Sequence, residues 1–277
     1  MEVKDHSISQ ETFPLWKCSD CDFCFTQHPP TEEECGQYYE SEDYISHSDT
    51  KESLTDRMYH LARNYMLRRK WKLVKRYTNN RRQGQLLDYG SGTGYFLDYA
   101  IQQGWDVEGI EVSESARKFC KDQFDIDASP AEFLFSTKKK YDAITLWHVL
   151  EHLYDFHRYI DRFKTLLKSE GTLIIAVPNY QSLDAQSYGP HWAAYDVPRH
   201  LWHFKPKDLK RLAVKHQMKI VGKYGMPLDA LYVSILSEKY RKGGGLISGG
   251  IKGLMSNLKA ITNKDKYSSV IYILKKT

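Results

Sequence analysis

The 277-residue chain is long enough for one large α/β domain, with or without a small N-terminal appendage. Its hydrophobic content of 41% and charged content of 27% are those of a globular protein and exclude wholesale disorder. The net charge of +5 does not call for a nucleic-acid partner, and no apolar run is long enough to span a membrane. The first residues contain no apolar signal-peptide core, so we expect a cytoplasmic protein.

The first segment, residues 1–55, is polar, aromatic-rich and irregular. Three cysteines lie close together in it: Cys18, Cys21 and Cys24. Such clustering in a cytosolic chain suggests a metal site or free thiols before disulfides. A structural zinc site needs four ligands, and only His28 or Cys35 offers a fourth ligand. The segment resembles the second half of a zinc ribbon, but the upstream Cys pair that such a ribbon needs is missing, so we predict no bound metal, and zinc held by these cysteines is the alternative.

A helix is predicted from about residue 56 to 78, because apolar side chains recur along one stripe and the stretch has no Gly or Pro. Its other face is basic. We interpret that face as solvated, and a polyanion-binding surface is the alternative.

From residue 85 onward, short strands alternate with helices, which predicts a parallel sheet. The seven predicted strands are 85–89, 106–112, a short one near Ile126, 141–147, 171–177, 218–224 and 268–274. Two longer segments interrupt the alternation. Residues 179–205 form an aromatic insert, and residues 227–262 contain a Gly-rich bend between two helical pieces. Long loops of this kind usually carry function.

The first of these strands leads into Gly90-Ser91-Gly92-Thr93-Gly94 and then a helix, so backbone amides can approach a ligand closely. Glu111 ends the next strand, where a carboxylate can accept hydrogen bonds from two ribose hydroxyls. Tyr95 occupies the position of the third glycine of a dinucleotide fingerprint, which argues against NAD. Asp88 at the strand end would repel a pyrophosphate and attract an ammonium group.

This stretch resembles the first motif of class I S-adenosylmethionine (SAM)-dependent methyltransferases, and the resemblance extends over roughly residues 85–276. It implies SAM as the cofactor and a Rossmann-like, seven-stranded α/β fold with a mostly parallel sheet, one antiparallel strand (268–274) and helices on both faces. The sequence departs from the family at Pro130, where an acid often meets adenine, and the Ala131 backbone or Glu132 could substitute. The implied cofactor-binding residues are Asp88, Gly90, Ser91, Gly92, Gly94, Tyr95, Phe96, Glu111, Val112, Ala131, Trp147 and His148, with Tyr44 and His47 from an N-terminal cap.

The segment after the fourth strand, Leu150-Glu151-His152, resembles that of ubiquinone-biosynthesis O-methyltransferases. The Asn/Asp-Pro-Pro-aromatic tetrad of DNA and protein-glutamine amino methyltransferases is absent. Together with His148 the segment also spells an inverted zinc-protease motif, but that motif requires a regular helix rather than a strand end. We expect the Glu-His pair to fix the loop geometry, and a divalent ion held by the pair is the alternative.

The aromatic insert resembles the W…PRHL.HF stretch of uncharacterised bacterial methyltransferases thought to act on small or lipid-linked acceptors. In this architecture the loop beyond the fifth strand covers the acceptor pocket. We therefore predict His200 as the base, ahead of His152 and His148. The alternative is that these aromatic residues are core and the histidines only satisfy hydrogen bonds. The predicted substrate-binding residues are Tyr180, Trp192, Tyr195, Arg199 and His203.

The sequence thus predicts a methyltransferase domain over residues 56–277 with a cap over 1–55 and both inserts above the acceptor site. The enzyme would move the methyl group of SAM to an oxygen, or less often a nitrogen or carbon, of a small or lipid-linked metabolite. One rival is an RNA or protein methyltransferase that uses the basic 57–82 helix. The other is a SAM-binding protein without catalysis. Neither the acceptor nor the oligomeric state follows from the sequence.

Overall fold

The computed structural model describes residues 1–39, 54–242 and 245–277, so Tyr44 and His47 lie outside the described residues. The strands are β1 (Glu2–Lys4), β2 (Thr12–Lys17), β3 (Cys24–Thr26), β4 (Gln85–Tyr89), β5 (Asp106–Ile110), β6 (Tyr141–Trp147), β7 (Leu167–Pro178), β8 (Trp202–His203), β9 (Met218–Gly225) and β10 (Ser269–Lys276). The helices are α1 (Leu54–Tyr77), α2 (Tyr95–Gln102), α3 (Glu114–Phe124), α4 (Phe133–Ser136), α5 (Phe156–Leu166), α6 (Leu183–Tyr188), α7 (Pro206–Lys215), α8 (Pro227–Lys242) and α9 (Leu246–Thr262).

The central sheet has the strand order β5-β4-β6-β7-β10-β9. Strands β5, β4, β6 and β7 pair in parallel, and β10 is antiparallel to both β7 and β9. The Rossmann-like α/β fold with one antiparallel strand is therefore confirmed. The chain moves from β4 outward to β5 and then returns past β4 to β6. The carboxyl ends of β4 and β6 consequently flank a topological switch point, where open α/β sheets bind their ligands.

Helices cover both faces of this sheet, as neighbouring residues of one strand show. Ile144 points into a core with Phe163 of α5 and Leu209 of α7. Ala143 points the other way, into a core with Trp71 of α1 and Phe96 of α2. Side chains of a strand alternate between faces, so β6, whose seven residues are all buried, packs on helices at both sides.

The sheet has six strands, one fewer than expected. The strand predicted near Ile126 is reduced to a single parallel bridge between Ile110 and Ser129. The reason is local, because Asp125 ends α3 in a left-handed conformation and Pro130 follows Ser129, which leaves little room for a ladder.

The N-terminal segment is more regular than expected, because β1, β2 and β3 form an antiparallel sheet that β8 of the aromatic insert completes. Strands of two or three residues show no period that the sequence could reveal. The N-terminal segment and the insert share a hydrophobic cluster that includes Val3, Phe13 and Trp192. They therefore form one layer of the molecule.

Part of the expected Gly-rich bend is helix, since Gly249 and Gly250 lie in α9, while Gly245 precedes this helix with a φ of 127° and residues 243 and 244 lie outside the described residues. Gly249 and Gly253 lie inside α9, against the backbone of α8. A Cβ on Gly253 would stand 2.6 Å from the carbonyl oxygen of Ala230. These glycines therefore permit close helix packing rather than a turn. Among the described helices, none is long and apolar enough to cross a membrane.

Candidate active site

The glycine turn after β4 has the backbone that its sequence suggests. Gly90, Gly92 and Gly94 have φ angles of 73°, 55° and 85°, which favour glycine. A Cβ on Gly94 would collide with the thiol of Cys120, and one on Gly90 with the side chain of Val149. The turn is thus held between α3 and the loop that follows β6.

Glu111 ties this turn to the end of β5. It is buried, its Oε2 accepts the Gly92 amide at 2.8 Å, and its Oε1 accepts the Ser113 amide at 2.9 Å. Each carboxylate oxygen has a further lone pair for a ligand hydroxyl. Val112 beside it is 68% exposed and can lie against a flat ring. Ala131, at the start of the α4 turn, is half-buried.

Asp88 lies buried beneath the turn, where the Thr145 hydroxyl donates to its Oδ1 at 2.5 Å. Burial raises the pKa of Asp88 to about 7, against the opposing effects of that hydrogen bond and of Lys70. The Lys70 ammonium lies 4.6 Å from the centroid of the Trp147 ring, and desolvation lowers its pKa. A bound cationic group would favour the ionised form of Asp88.

The two aromatic residues at the start of α2 pack differently. Phe96 is buried edge-on against Trp147, with ring centroids 5.6 Å apart. The Tyr95 ring is half-buried, and the Arg63 guanidinium carbon lies 3.7 Å from the centroid of this ring.

His148 follows β6 with a left-handed φ of 60°. Its Nε2 lies 2.9 Å from Oδ2 of Asp229, and its Nδ1 lies 3.4 Å from Oε1 of Glu151. Burial alone would lower the pKa of His148, but the two carboxylates outweigh it and raise the pKa to about 10. A protonated imidazole has no free lone pair, so this geometry favours a holding role over that of a base.

Glu151, His152 and His200 converge beside it. One potential ligand atom of each residue lies within 4.8 Å of the other two. In the described part of the chain, these are the side chains of metal-binding type that lie close enough together to share one cation. The cysteines, all free thiols, are not part of this group. A carboxylate with two imidazoles suits Zn²⁺ or Fe²⁺. These three residues could therefore hold a divalent cation, a possibility that the sequence had left open for the first two.

Backbone carbonyls orient both imidazoles. Nδ1 of His200 donates to the Ala194 carbonyl at 3.0 Å, and Nδ1 of His152 lies 3.0 Å from the Arg199 carbonyl and from the Tyr39 hydroxyl. Desolvation, together with the charge of His200, lowers the pKa of His152 to about 4. With Nδ1 protonated, Nε2 of His200 keeps a lone pair that can accept a proton or a metal. These assignments follow from the carbonyls, which can only accept.

The predicted acceptor-binding residues lie in the buried layer under the N-terminal sheet. Trp192 donates from Nε1 to Asp184 at 2.8 Å and packs on Tyr195 at 5.1 Å between centroids. His203 shares a hydrogen bond with the hydroxyl of Thr26 at 3.0 Å, and burial lowers its pKa to about 3. For these three the geometry favours the packing role that the sequence left open.

Tyr180 and Arg199 are also engaged. The Tyr180 hydroxyl donates to the Asp22 carbonyl and accepts from Lys205. The Arg199 guanidinium pairs with Asp196 and reaches Asp5 at 3.7 Å, so an acceptor anion would compete with two carboxylates for it.

Several residues of the site escaped the sequence analysis. Asp229 and Lys70 come from helices that are distant in sequence, and Lys70 was counted with a solvated basic face. Asp196 has no motif around it, yet its carboxylate lies 3.8 Å from Nε2 of His200. The sequence named Glu151 and His152 as a pair that could hold a divalent ion, but it did not place His200 beside them.

The fold and this edge of the sheet define a methyltransferase of the Rossmann-like class. The profile of a family described as "Methyltransferase domain" matches residues 59–222, more than half of the chain. The chain belongs to this methyltransferase family, as the sequence predicted. The family, with the glycine turn and Glu111, supports SAM as the methyl donor.

Curated relatives include ubiquinone biosynthesis O-methyltransferases. The protein from Bartonella bacilliformis is 24% identical over 160 residues, which are 53% of this chain and 64% of that protein. The protein from Pelagibacter ubique is 29% identical over 172 residues, 57% of this chain and 68% of that protein. The matches thus span about two thirds of these relatives.

Among solved structures, the cyclopropane synthase MmaA2 from Mycobacterium tuberculosis aligns with a TM-score of 0.55 and 16% identity over 90% of this chain and 100% of that chain. This likeness supports the fold. Because that neighbour is named a cyclopropane synthase, the shared fold does not itself determine the reaction.

Proposed function

We propose that this chain transfers the methyl group of SAM to an oxygen of a small or lipid-linked acceptor. The observation that carries the proposal is a contact at the carboxyl edge of the central sheet, between the glycine turn after β4 and the loop after β6. The glycine turn, anchored by Glu111, lies directly against Val149 at Gly90, and the Glu151, His152 and His200 cluster begins two residues later. The proposed cofactor site and the proposed proton-accepting side chains are therefore adjacent.

Bound SAM would supply a methyl group on a sulfonium sulfur. The chain's own contribution is to hold an acceptor hydroxyl in line with that methyl group and to accept its proton at Nε2 of His200. As the oxygen–carbon bond forms, the carbon–sulfur bond breaks and its electron pair stays on sulfur. Glu151 lies 3.9 Å from Nε2 of His200 and would stabilise the imidazolium that results.

A cation-assisted version is the second candidate, and the state of Glu151 favours it. Its carboxylate is buried, and among the described residues neither oxygen has a hydrogen bond of good geometry, with the His148 imidazole as the nearest donor at 3.4 Å. A divalent cation would satisfy this carboxylate together with His152 and His200. It would lower the pKa of a bound acceptor hydroxyl, and His200 would then be a ligand rather than the base.

The basic face of α1 gives limited support to an RNA or protein acceptor. Arg63 stacks on Tyr95, Arg69 donates to the Gly225 carbonyl at 2.8 Å, and Lys70 lies at the cofactor edge. These three basic side chains are engaged inside the molecule rather than presented to an RNA or protein acceptor. A strong, salt-dependent affinity for RNA would revive this rival.

The test is a turnover screen against a metabolite extract with methyl-labelled SAM, followed by variants on the acceptor found. His200→Ala should lose about 10²–10⁴ in rate while the affinity for SAM stays within about twofold. His28→Ala, at an N-terminal turn, is the matched control and should keep full turnover. If His200→Ala keeps full turnover and His152→Ala abolishes it, the base lies in the loop after β6. SAM binding without turnover on any acceptor would favour the non-catalytic rival.

A further inference from the structure

Helix α9 presents an apolar face to solvent. Its small residues Gly249, Gly253, Ser256 and Ala260 are buried, the two glycines against α8 and Ser256 against Asp184 of α6, which leaves the large side chains outside. Seven large apolar residues are each more than half exposed: Leu246, Ile247, Ile251, Leu254, Met255, Leu258 and Ile261. At 100° per residue they fall on one side of the helix, opposite the small residues. Such a contiguous apolar surface is unusual on a monomeric protein and marks an interaction site.

The charges around this face have one sign. Helix α9 contains no acidic residue, and of its two lysines Lys259 is exposed while Lys252 pairs with Glu238. Lys239 near the end of α8 and Lys264 just after α9 are exposed, so basic groups lie at both ends of the face. The acids nearby are already paired, Glu238 with Arg241 and Lys252, and Asp265 with Lys223. The rim therefore complements an anionic partner.

We propose that α9 docks on an anionic lipid bilayer, with its apolar face in the headgroup region and its lysines at the phosphates. An amphipathic helix with an apolar face and basic flanks is the arrangement that binds such an interface. A second copy of this chain fits less well, because a two-fold contact would bring like-charged rims together. The inference does not depend on the methyl acceptor.

The docking helix is coupled to the active-site edge through α8. Asn257 of α9 donates to the Pro227 carbonyl at 2.7 Å, two residues before Asp229, which holds His148. Ser237 of α8 accepts the Ala193 amide of the insert at 2.8 Å. A bilayer beneath α9 would therefore lie one helix layer away from the groups that surround His148.

Co-sedimentation with lipid vesicles tests the proposal. The full chain should bind vesicles of equal parts phosphatidylcholine and phosphatidylglycerol, and should bind phosphatidylcholine vesicles much more weakly. Ile251→Glu with Leu258→Glu should weaken binding to the anionic vesicles by at least about tenfold, because two charges enter the centre of the apolar face. Lys259→Gln and Lys264→Gln should each weaken it about fivefold.

The matched control places glutamate at two exposed apolar positions elsewhere, Leu61 and Val214, which are 70% and 77% exposed. It should bind anionic vesicles like the parent. Unchanged circular dichroism and SAM affinity show that each variant is folded. The proposal is overturned if the parent does not bind anionic vesicles, or if the Ile251 and Leu258 variant binds as tightly as the control. It is also overturned if ultracentrifugation shows a dimer that this variant dissociates, since a second copy then covers the face.

Discussion

The carboxylate of Asp229 lies 2.9 Å from Nε2 of His148, although the two residues are 81 positions apart in the chain. This contact joins the start of α8 to the end of β6. It also holds the side chain of His148, whose backbone is left-handed, beside the glycine turn. A helix from the C-terminal third of the chain therefore fixes the orientation of the His148 imidazole.

Asp229→Asn should therefore destabilise the protein. The amide keeps the shape of the side chain but loses the charge that pairs with the His148 imidazolium, which costs about 1–3 kcal/mol of unfolding free energy. Urea unfolding near neutral pH measures the difference. Asp122→Asn, an exposed position on α3, is the matched control and should change the free energy by no more than about 0.5 kcal/mol. Equal stability of the two variants would show that the His148–Asp229 contact contributes nothing.

Glu111→Ala should weaken SAM binding by about 2–4 kcal/mol, because it removes two hydrogen bonds from ribose hydroxyls to a charged acceptor. It also frees the Gly92 amide, so the glycine turn loses its anchor. Calorimetric titration measures the effect. Glu114→Ala, exposed at the start of α3, removes a carboxylate three residues away and should bind SAM like the parent. An unchanged affinity of Glu111→Ala would overturn the assignment of the cofactor site.

Much of the central sheet could be predicted because parallel strands with two covered faces are continuous apolar runs. Strand β6 has the predicted ends, 141–147, and all seven residues are buried. The N-terminal sheet could not be predicted, because its fourth strand, Trp202–His203, lies far along the chain from Cys24 and Phe25, with which it pairs. Two-residue and three-residue strands have no readable period.

The candidate site shows the same division between local and long-range information. The glycine turn and Glu111 belong to one βαβ unit, so their spacing in the sequence reports their proximity. The approach of His200 to Glu151 depends on a backbone hydrogen bond from the Leu201 amide to the Glu151 carbonyl at 2.9 Å, between segments about fifty residues apart. No local pattern encodes that bond. The position of Lys70 beside Trp147 was hidden for a similar reason, since one lysine in a basic helix looks like its neighbours.

Asp142 should make the free energy of unfolding depend on pH in the acid range. Its buried carboxylate accepts the Gln85 amide at 2.9 Å and pairs with Lys168 at 2.7 Å. Burial acts to raise its pKa, but these bonds and the charge of Arg81 outweigh it, so the pKa of Asp142 lies below its ordinary value of 3.8. A lowered pKa stabilises the fold above the unfolded value, and this stabilisation disappears as the pH falls through the folded value.

The Asp142 variant tests this sign. Asp142→Asn should be less stable than the parent by about 1–2 kcal/mol near neutral pH, because the charge-assisted bonds are lost. The gap should begin to narrow as the pH falls below about 4 and should close once the pH is below the lowered pKa of the folded parent, where its carboxyl is itself protonated. Urea unfolding of both proteins across this range measures it. Asp106→Asn, at the exposed edge strand β5, is the control and should change the free energy of unfolding by no more than about 0.5 kcal/mol near neutral pH. A gap that persists unchanged in acid would contradict the role of the Asp142 charge.

The last prediction concerns cation binding by Glu151, His152 and His200. Two imidazoles with Nδ1 turned to carbonyl oxygens present Nε2 lone pairs, and a buried carboxylate without a good donor completes a three-ligand set. The chain should therefore bind Co²⁺ and give visible absorption bands of a low-symmetry site, with or without SAM. Glu151→Gln keeps the size of the side chain but removes its charge, and should abolish these bands. Cys35→Ser, which changes a potential ligand outside the cluster, should leave them unchanged.

Turnover then separates the two catalytic routes. Dialysis against a chelator should leave the rate within about twofold if His200 is the base, and should abolish it, with recovery on added metal, if a cation activates the acceptor. Absence of Co²⁺ bands in the parent would remove the cation route and leave His200 as the proton acceptor.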